Sequence, residues 1–141
     1  MNPEILLRFL GALVITAAGI GLYFLVSFFS LQRARNQLTG LEQVKNGKPV
    51  LVYFTTPTCA PCKTIQRPAI QRLQMILGDR LQVVEIDAAS RPEVASDWGV
   101  LSVPTTFVLD QFGKPQHVNH GVASYEKLLH QMGSLSPGGK F

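Results

Sequence analysis

The sequence predicts an α/β domain on a mixed central sheet, carried behind one transmembrane helix. Three observations carry this reading. Residues 9–31 form an uncharged apolar run, the rest alternates in the order strand, helix, strand, helix, strand, strand, helix, and two cysteines separated by two residues fall at the first strand-to-helix junction.

The apolar run comes first. At ~1.5 Å rise per residue, the 23 residues from Phe9 to Leu31 make about 34 Å of helix, enough to cross a hydrocarbon layer of ~30 Å. A cleaved signal peptide has an apolar stretch of roughly 7–15 residues and a small-residue cleavage site. This run is longer, and Gln32-Arg33-Ala34-Arg35-Asn36 cleaves poorly. Residues 1–8 are then a short flank, with Asn2 as cap and Pro3 in the first turn. Residues 32–39 are a juxtamembrane linker. Arg33 and Arg35, with Lys45 and Lys48 beyond, outnumber Arg8, so the positive-inside tendency leans toward a cytoplasmic domain, while the brevity of the N-terminal flank leaves the side open.

Residues 40–133 make one domain of modest size, able to bury a core without disulfide staples. From residue 40 onward ten Lys and Arg face eight Asp and Glu, so the formal charge of +4 owes much to Arg8, Arg33 and Arg35. These suit lipid headgroups, and nothing in the pattern points to nucleic acid. Residues 134–141 read as a disordered tail.

Within the domain, Leu38, Leu41 and Val44 are spaced for an amphipathic turn or two, ended by Asn46-Gly47. Pro49–Phe54 is a buried strand. The helix from Cys59 carries Ile65, Ala69, Leu73, Ile76 and Leu77 at helical spacing, is bent by Pro68 and is closed by Gly78. Leu81–Ile86 is the second strand, and Pro92–Trp98 a short helix with Ser90 as candidate cap. Pro104–Leu109, a turn at Asp110–Gly113, and Pro115–His120 form a hairpin. Ser124 caps a last helix whose apolar side holds Tyr125, Leu128, Leu129 and Met132.

The junction carries the chemistry. At a helix N-terminus, unpaired N–H groups and the dipole stabilise the thiolate of Cys59, the form that attacks disulfides. An ordinary thiol of pKa ~8.5 is about 3 % ionised at pH 7; a pKa of ~7 would raise that roughly fifteenfold, partly offset by lower nucleophilicity. Two other readings of the pair exist. Half a zinc site would need His117 and His120, which are remote in sequence and lie on opposite faces of a strand. A purely structural disulfide would close so small a loop that it restrains the unfolded chain little. His130 reads as a surface residue.

Taken together, Cys59-Ala60-Pro61-Cys62-Lys63, Ser102-Val103-Pro104-Thr105 and Gly121 before the last helix resemble the thioredoxin family, over about residues 40–133. The resemblance implies a thioredoxin-like three-layer fold with Pro104 cis against the dithiol. It assigns catalysis to Cys59 and Cys62, support to Thr58, Ala60, Pro61, Lys63 and Pro104, and substrate docking to Thr58, Val103, Pro104 and Gly121. No bound cofactor and no metal are implied. The partners would be protein dithiols or disulfides and an unidentified electron donor, and Ala60-Pro61 looks more like the reducing members. Three positions depart from the family: Thr58 stands where Trp is usual, Tyr53 where a buried Asp is usual, and Val83 where Lys faces it. Glu85, on the same strand face as Val83, is then a weak candidate to accept the Cys62 proton, against its plainer reading as a surface carboxylate. The alternative function is a membrane-tethered binding module that holds extended clients without turnover.

Overall fold

The computed structural model describes residues 3–35, 41 and 47–135. Asn2, Leu38, Val44 and residues 136–141 lie outside them. Helix α1 (Pro3–Arg35) begins at Pro3, where a missing N–H costs no intrahelical bond. Its stretch Glu4–Ser30 is long and apolar enough to cross a membrane. The Thr16 hydroxyl donates to the Ala12 carbonyl at 2.8 Å, which satisfies a group that lipid could not. Along its second half α1 passes Gly99, Leu101, Ser102 and His120, and the Ser30 hydroxyl donates to the Gly99 carbonyl at 3.3 Å. A bilayer-crossing α1 would have to leave this contact. The adjoining strand places His120 against α1, a group that hydrocarbon cannot hydrate.

Four strands make one sheet in the order β2-β1-β3-β4: β1 (Val50–Thr55), β2 (Gln82–Asp87), β3 (Thr105–Leu109) and β4 (Pro115–His120). β1 pairs parallel with β2, from Val50 beside Gln82 to Thr55 beside Asp87, and antiparallel with β3. β3 and β4 are antiparallel. The parallel pair needs a crossover, supplied by the helical stretch ending in α2 (Arg67–Leu77), whereas β3 and β4 are joined by a tight turn. In that turn Asp110 Oδ1 accepts from the amides of Phe112 and Lys114, both at 2.9 Å, and Gly113 takes φ 76°, a conformation open to glycine.

Every residue of β1 is buried because both faces of the sheet are covered. On one face Leu51, Tyr53 and Val108 meet Ile70, Leu73 and Leu77 of α2 and Leu128 and Met132 of α4 (Tyr125–Gly133). On the other, Val52, Phe54 and Phe107 meet Val94, Ala95 and Trp98, from α3 (Pro92–Asp97) and its C-terminal end, with Leu41 beside them. The sheet is therefore the middle of three layers. Trp98 is fully buried, with its ring 5.0 Å from that of Phe107 and 5.9 Å from that of Phe54.

Several details differ from the sequence expectation. α3 is capped by Arg91 with no side-chain bond, while the Ser90 hydroxyl turns back to the Asp87 carbonyl at 3.2 Å. Ser124 does cap α4, its Oγ accepting from the Lys127 amide. Gly78 caps α2 with φ 51°. Between the dithiol and α2 the backbone widens into one π-helical stretch, Cys62–Gln66, in which the Arg67 amide reaches back five residues to the Cys62 carbonyl. Pro68 follows in the first turn of α2. The wider turn carries Ile65 away from the sheet and leaves Gln66 facing it, so Ile65 and Ile76 are exposed while Cys62, Gln66, Ile70, Leu73 and Leu77 are buried. Ser134 and Leu135 form a turn after α4, and Leu135 packs on the core.

Trp98→Ala would leave a large void between Phe54 and Phe107. It should destabilise the domain by about 3–5 kcal/mol, read as a lower urea midpoint by far-UV circular dichroism of the full chain in detergent.

Candidate active site

The dithiol sits where β1 runs out. Past Thr55 the chain makes a turn closed by the Cys59 amide donating to the Thr56 carbonyl at 3.2 Å, and the helix then starts at Ala60. Cys59 and Cys62 are joined as a disulfide with Cα atoms 5.3 Å apart. The two sulfurs are not equivalent. Cys59 retains 8 % of its surface, whereas Cys62 has none. The Cys62 amide, one of the helix's unpaired first-turn donors, points to Cys59 Sγ at 3.2 Å. Of the two, Cys59 alone combines access to a partner with an N–H that favours its anion.

Beneath the pair lies Tyr53, 1 % exposed, whose hydroxyl donates to the Cys62 carbonyl at 3.1 Å. Burial pushes its pKa above the ordinary 10.0, so the hydroxyl stays protonated and keeps donating. The Cys62 carbonyl thus accepts twice, from Tyr53 and from the Arg67 amide. Glu85 is exposed and ion-paired with Arg67 at 2.7 Å. Both side chains line, with Tyr53, Ile70 and Val83, an open cleft of about 260 Å³. At that exposure the ion pair is worth little.

On the other side of the dithiol, the Val103–Pro104 peptide is cis. Pro104 is buried, and Val103 packs against the cluster that contains both cysteines. The loop is closed by the Thr105 hydroxyl donating to the Ser102 carbonyl at 2.7 Å. Gly121, at φ 86°, donates its amide to the Pro104 carbonyl at 2.8 Å, which brings it to the same edge. Thr58, Ala60, Pro61 and Lys63 are exposed around the turn that carries Cys59. One buried residue near the site was not singled out from the sequence: Gln66, whose side-chain amide is paired with the backbone of Ala123. Its only signal there is a polar residue on the register of Cys62, Ile70, Leu73 and Leu77.

The thioredoxin family model matches residues 36–134. The chain belongs to the thioredoxin family. It is 36 % identical over 90 residues to thioredoxin Y, chloroplastic, of Oryza sativa subsp. japonica, a match covering 64 % of this chain and 52 % of the relative. It is 43 % identical over 60 residues to a thioredoxin of Bacillus subtilis, covering 43 % and 57 %. The match thus spans little more than half the length of either relative. Among solved structures, chloroplastic thioredoxin z superposes with a TM-score of 0.60 at 20 % identity, over 65 % of this chain and 81 % of that one. A mutant thioredoxin from Halobacterium salinarum gives 0.56 at 26 % identity, over 64 % and 75 %. The three-layer thioredoxin fold is therefore shown, with a redox-active type of cysteine pair at its edge.

The histidines stand apart from the dithiol chemistry. Among the described residues no group of three or more His, Cys, Asp or Glu side chains is arranged to hold a metal ion. His117 Nε2 lies 3.2 Å from Ser134 Oγ. Burial, and then the neighbouring His130, pull its pKa below the ordinary 6.5.

Tyr53→Phe removes one of two donors to the Cys62 carbonyl and should cost about 1 kcal/mol in urea unfolding, because the Arg67 amide still pairs that oxygen. For His117 the unfolded chain binds the proton more readily than the folded one. Its contribution is therefore complete above pH 6.5 and declines as pH falls toward the lowered folded value. A pH series of unfolding midpoints should accordingly be flatter below pH 6.5 in His117→Gln than in the parent.

Proposed function

We propose that the protein is a membrane-anchored thiol-disulfide oxidoreductase that reduces disulfides in other proteins. The observation that carries this reading is the asymmetry of the pair: a marginally exposed Cys59 under a helix amide, and a fully buried Cys62 within bonding range. Starting from the dithiol, the Cys59 thiolate attacks a substrate disulfide. A Cys59–substrate bond forms and one substrate thiolate leaves. Cys62, deprotonated in turn, attacks Cys59 Sγ, which releases the second substrate thiolate and leaves the Cys59–Cys62 disulfide. Two electrons pass to the substrate, its two thiolates take up the two protons, and no bound cofactor takes part. A separate dithiol donor must then reduce the pair again.

Water entering the cleft beside Tyr53 is the acceptor we favour for the Cys62 proton, since Glu85 is exposed and engaged by Arg67. Thr58, Val103, Pro104 and Gly121 are assigned to docking an extended substrate segment, with the backbone of Val103 as the edge to which a strand can add. Ala60, Pro61 and Lys63 shape the turn, Pro61 restricting its backbone. The length and hydropathy of α1 support a single-pass anchor, and the Lys and Arg beyond it favour a cytoplasmic domain.

Full-length protein in detergent, supplied with dithiothreitol, should precipitate reduced insulin well above the dithiothreitol background. Cys59→Ser should return the rate to background, and Cys62→Ser, reduced beforehand and mixed with insulin without free thiol, should accumulate mixed disulfides that dithiothreitol then releases. A parent chain no faster than background, yet retaining extended peptides after Cys59→Ser, would instead make it a binding module. In intact cells first treated with a membrane-permeant reductant, a membrane-impermeant maleimide should leave Cys59 unlabelled until the membrane is permeabilised. Labelling without permeabilisation puts the domain outside.

A further inference from the structure

We propose that Gln66 is a positioning residue for substrate docking, an inference that rests on the function proposed above. Its side chain is fully buried, on the face of the active-site helix otherwise occupied by Cys62, Ile70, Leu73 and Leu77. A polar amide in such a place is unfavourable unless both of its ends are paired. Both are. Gln66 Nε2 donates to the Ala123 carbonyl at 3.2 Å, and the Ala123 amide donates to Gln66 Oε1 at 2.7 Å. Only this orientation of the amide makes both bonds, so the pair acts as one rung of a β-ladder laid between a helix and a loop.

What the rung holds is the edge assigned to docking. Two residues before Ala123, the Gly121 amide donates to the carbonyl of cis-Pro104 at 2.8 Å. At the other end, Gln66 closes the π-helical stretch whose first residue is Cys62 and whose five-residue bond ends on the Cys62 carbonyl. A continuous path therefore runs from the turn behind the buried sulfur, through Gln66, Ala123 and Gly121, to the peptide facing a substrate. In that path Gln66 is the sole side chain; the other links are backbone. The wide turn sets which residue faces the loop: it swings Ile65 out and presents residue 66.

If Gln66 only stabilised the fold, its loss would lower the unfolding midpoint and leave the kinetic constants of the folded protein alone. If it positions the docking edge, binding of an extended protein substrate suffers while attack on a small disulfide does not. The test compares the parent full chain with Gln66→Met, of similar length and without amide groups, in detergent at a temperature where circular dichroism shows both folded. Dithiothreitol drives reduction of insulin, whereas the small aromatic disulfide 5,5'-dithiobis(2-nitrobenzoate), which free thiols reduce directly, is mixed in stopped flow with protein reduced beforehand and freed of dithiothreitol. The expected result is a KM for insulin raised about five- to tenfold with kcat changed less than about twofold, and a rate on the small disulfide within about twofold of the parent. Unchanged insulin kinetics, or an equal loss on both substrates, overturns the positioning role. A parent chain inactive on both substrates overturns the functional reading itself, and this inference with it. Should Gln66→Met not fold, Gln66→Leu is read by the same criteria.

Discussion

The hydrogen bond from the Cys62 amide to Cys59 Sγ is the contact on which the rest of this structure turns. It exists because β1 ends at Thr55 and the chain enters a helix within a few residues, so the first amides of that helix have no carbonyl of their own to meet. The sulfur of Cys59 takes one of them. The same turn puts Cys62 one helical step inward, where the sheet covers it. One local geometry thus separates the roles of two chemically identical side chains, one open to a partner and one sheltered.

That turn is held by its surroundings. β1, like β3, is paired on both edges and packed on both faces, and the dithiol is mounted at its end. Tyr53 reaches from β1 to the Cys62 carbonyl as a neutral donor, its pKa raised by burial. A buried carboxylate in that position would place a negative charge beneath a sulfur that the proposed mechanism makes anionic. A phenol does not oppose that step and does not assist it as a base. The charged pair nearest to this floor, Arg67 with Glu85, is at the surface, where solvent screens it. The amide terminus of the helix, by contrast, is in direct contact with Cys59 Sγ.

Much of this was legible in the chain alone, for reasons that are local. Spanning length follows from counting uncharged residues, so the apolar helix could be read directly. β1 shows as an apolar run, Ser124 and Gly78 as terminators, Asp110–Gly113 as a turn, because caps and turns depend on neighbours within four positions. Ser90 misled because the helix begins one residue later, at the cap Arg91, and the Ser90 hydroxyl turns back to the Asp87 carbonyl. Ile65 misled because periodicity counting assumes an even helical turn, and here the turn is wider.

By itself the sequence determined which elements form, in what order, and that two thiols two residues apart head a helix, since each depends on short-range sterics and on hydrophobic spacing. Only the tertiary structure decided how deeply each sulfur is buried, that Glu85 faces Arg67 and solvent, and that Gln66 rather than Ile65 turns inward to meet Ala123. Those outcomes depend on partners far away in the chain: the Ala123 backbone is 57 positions from Gln66, and no local pattern encodes a hydrogen bond across that distance.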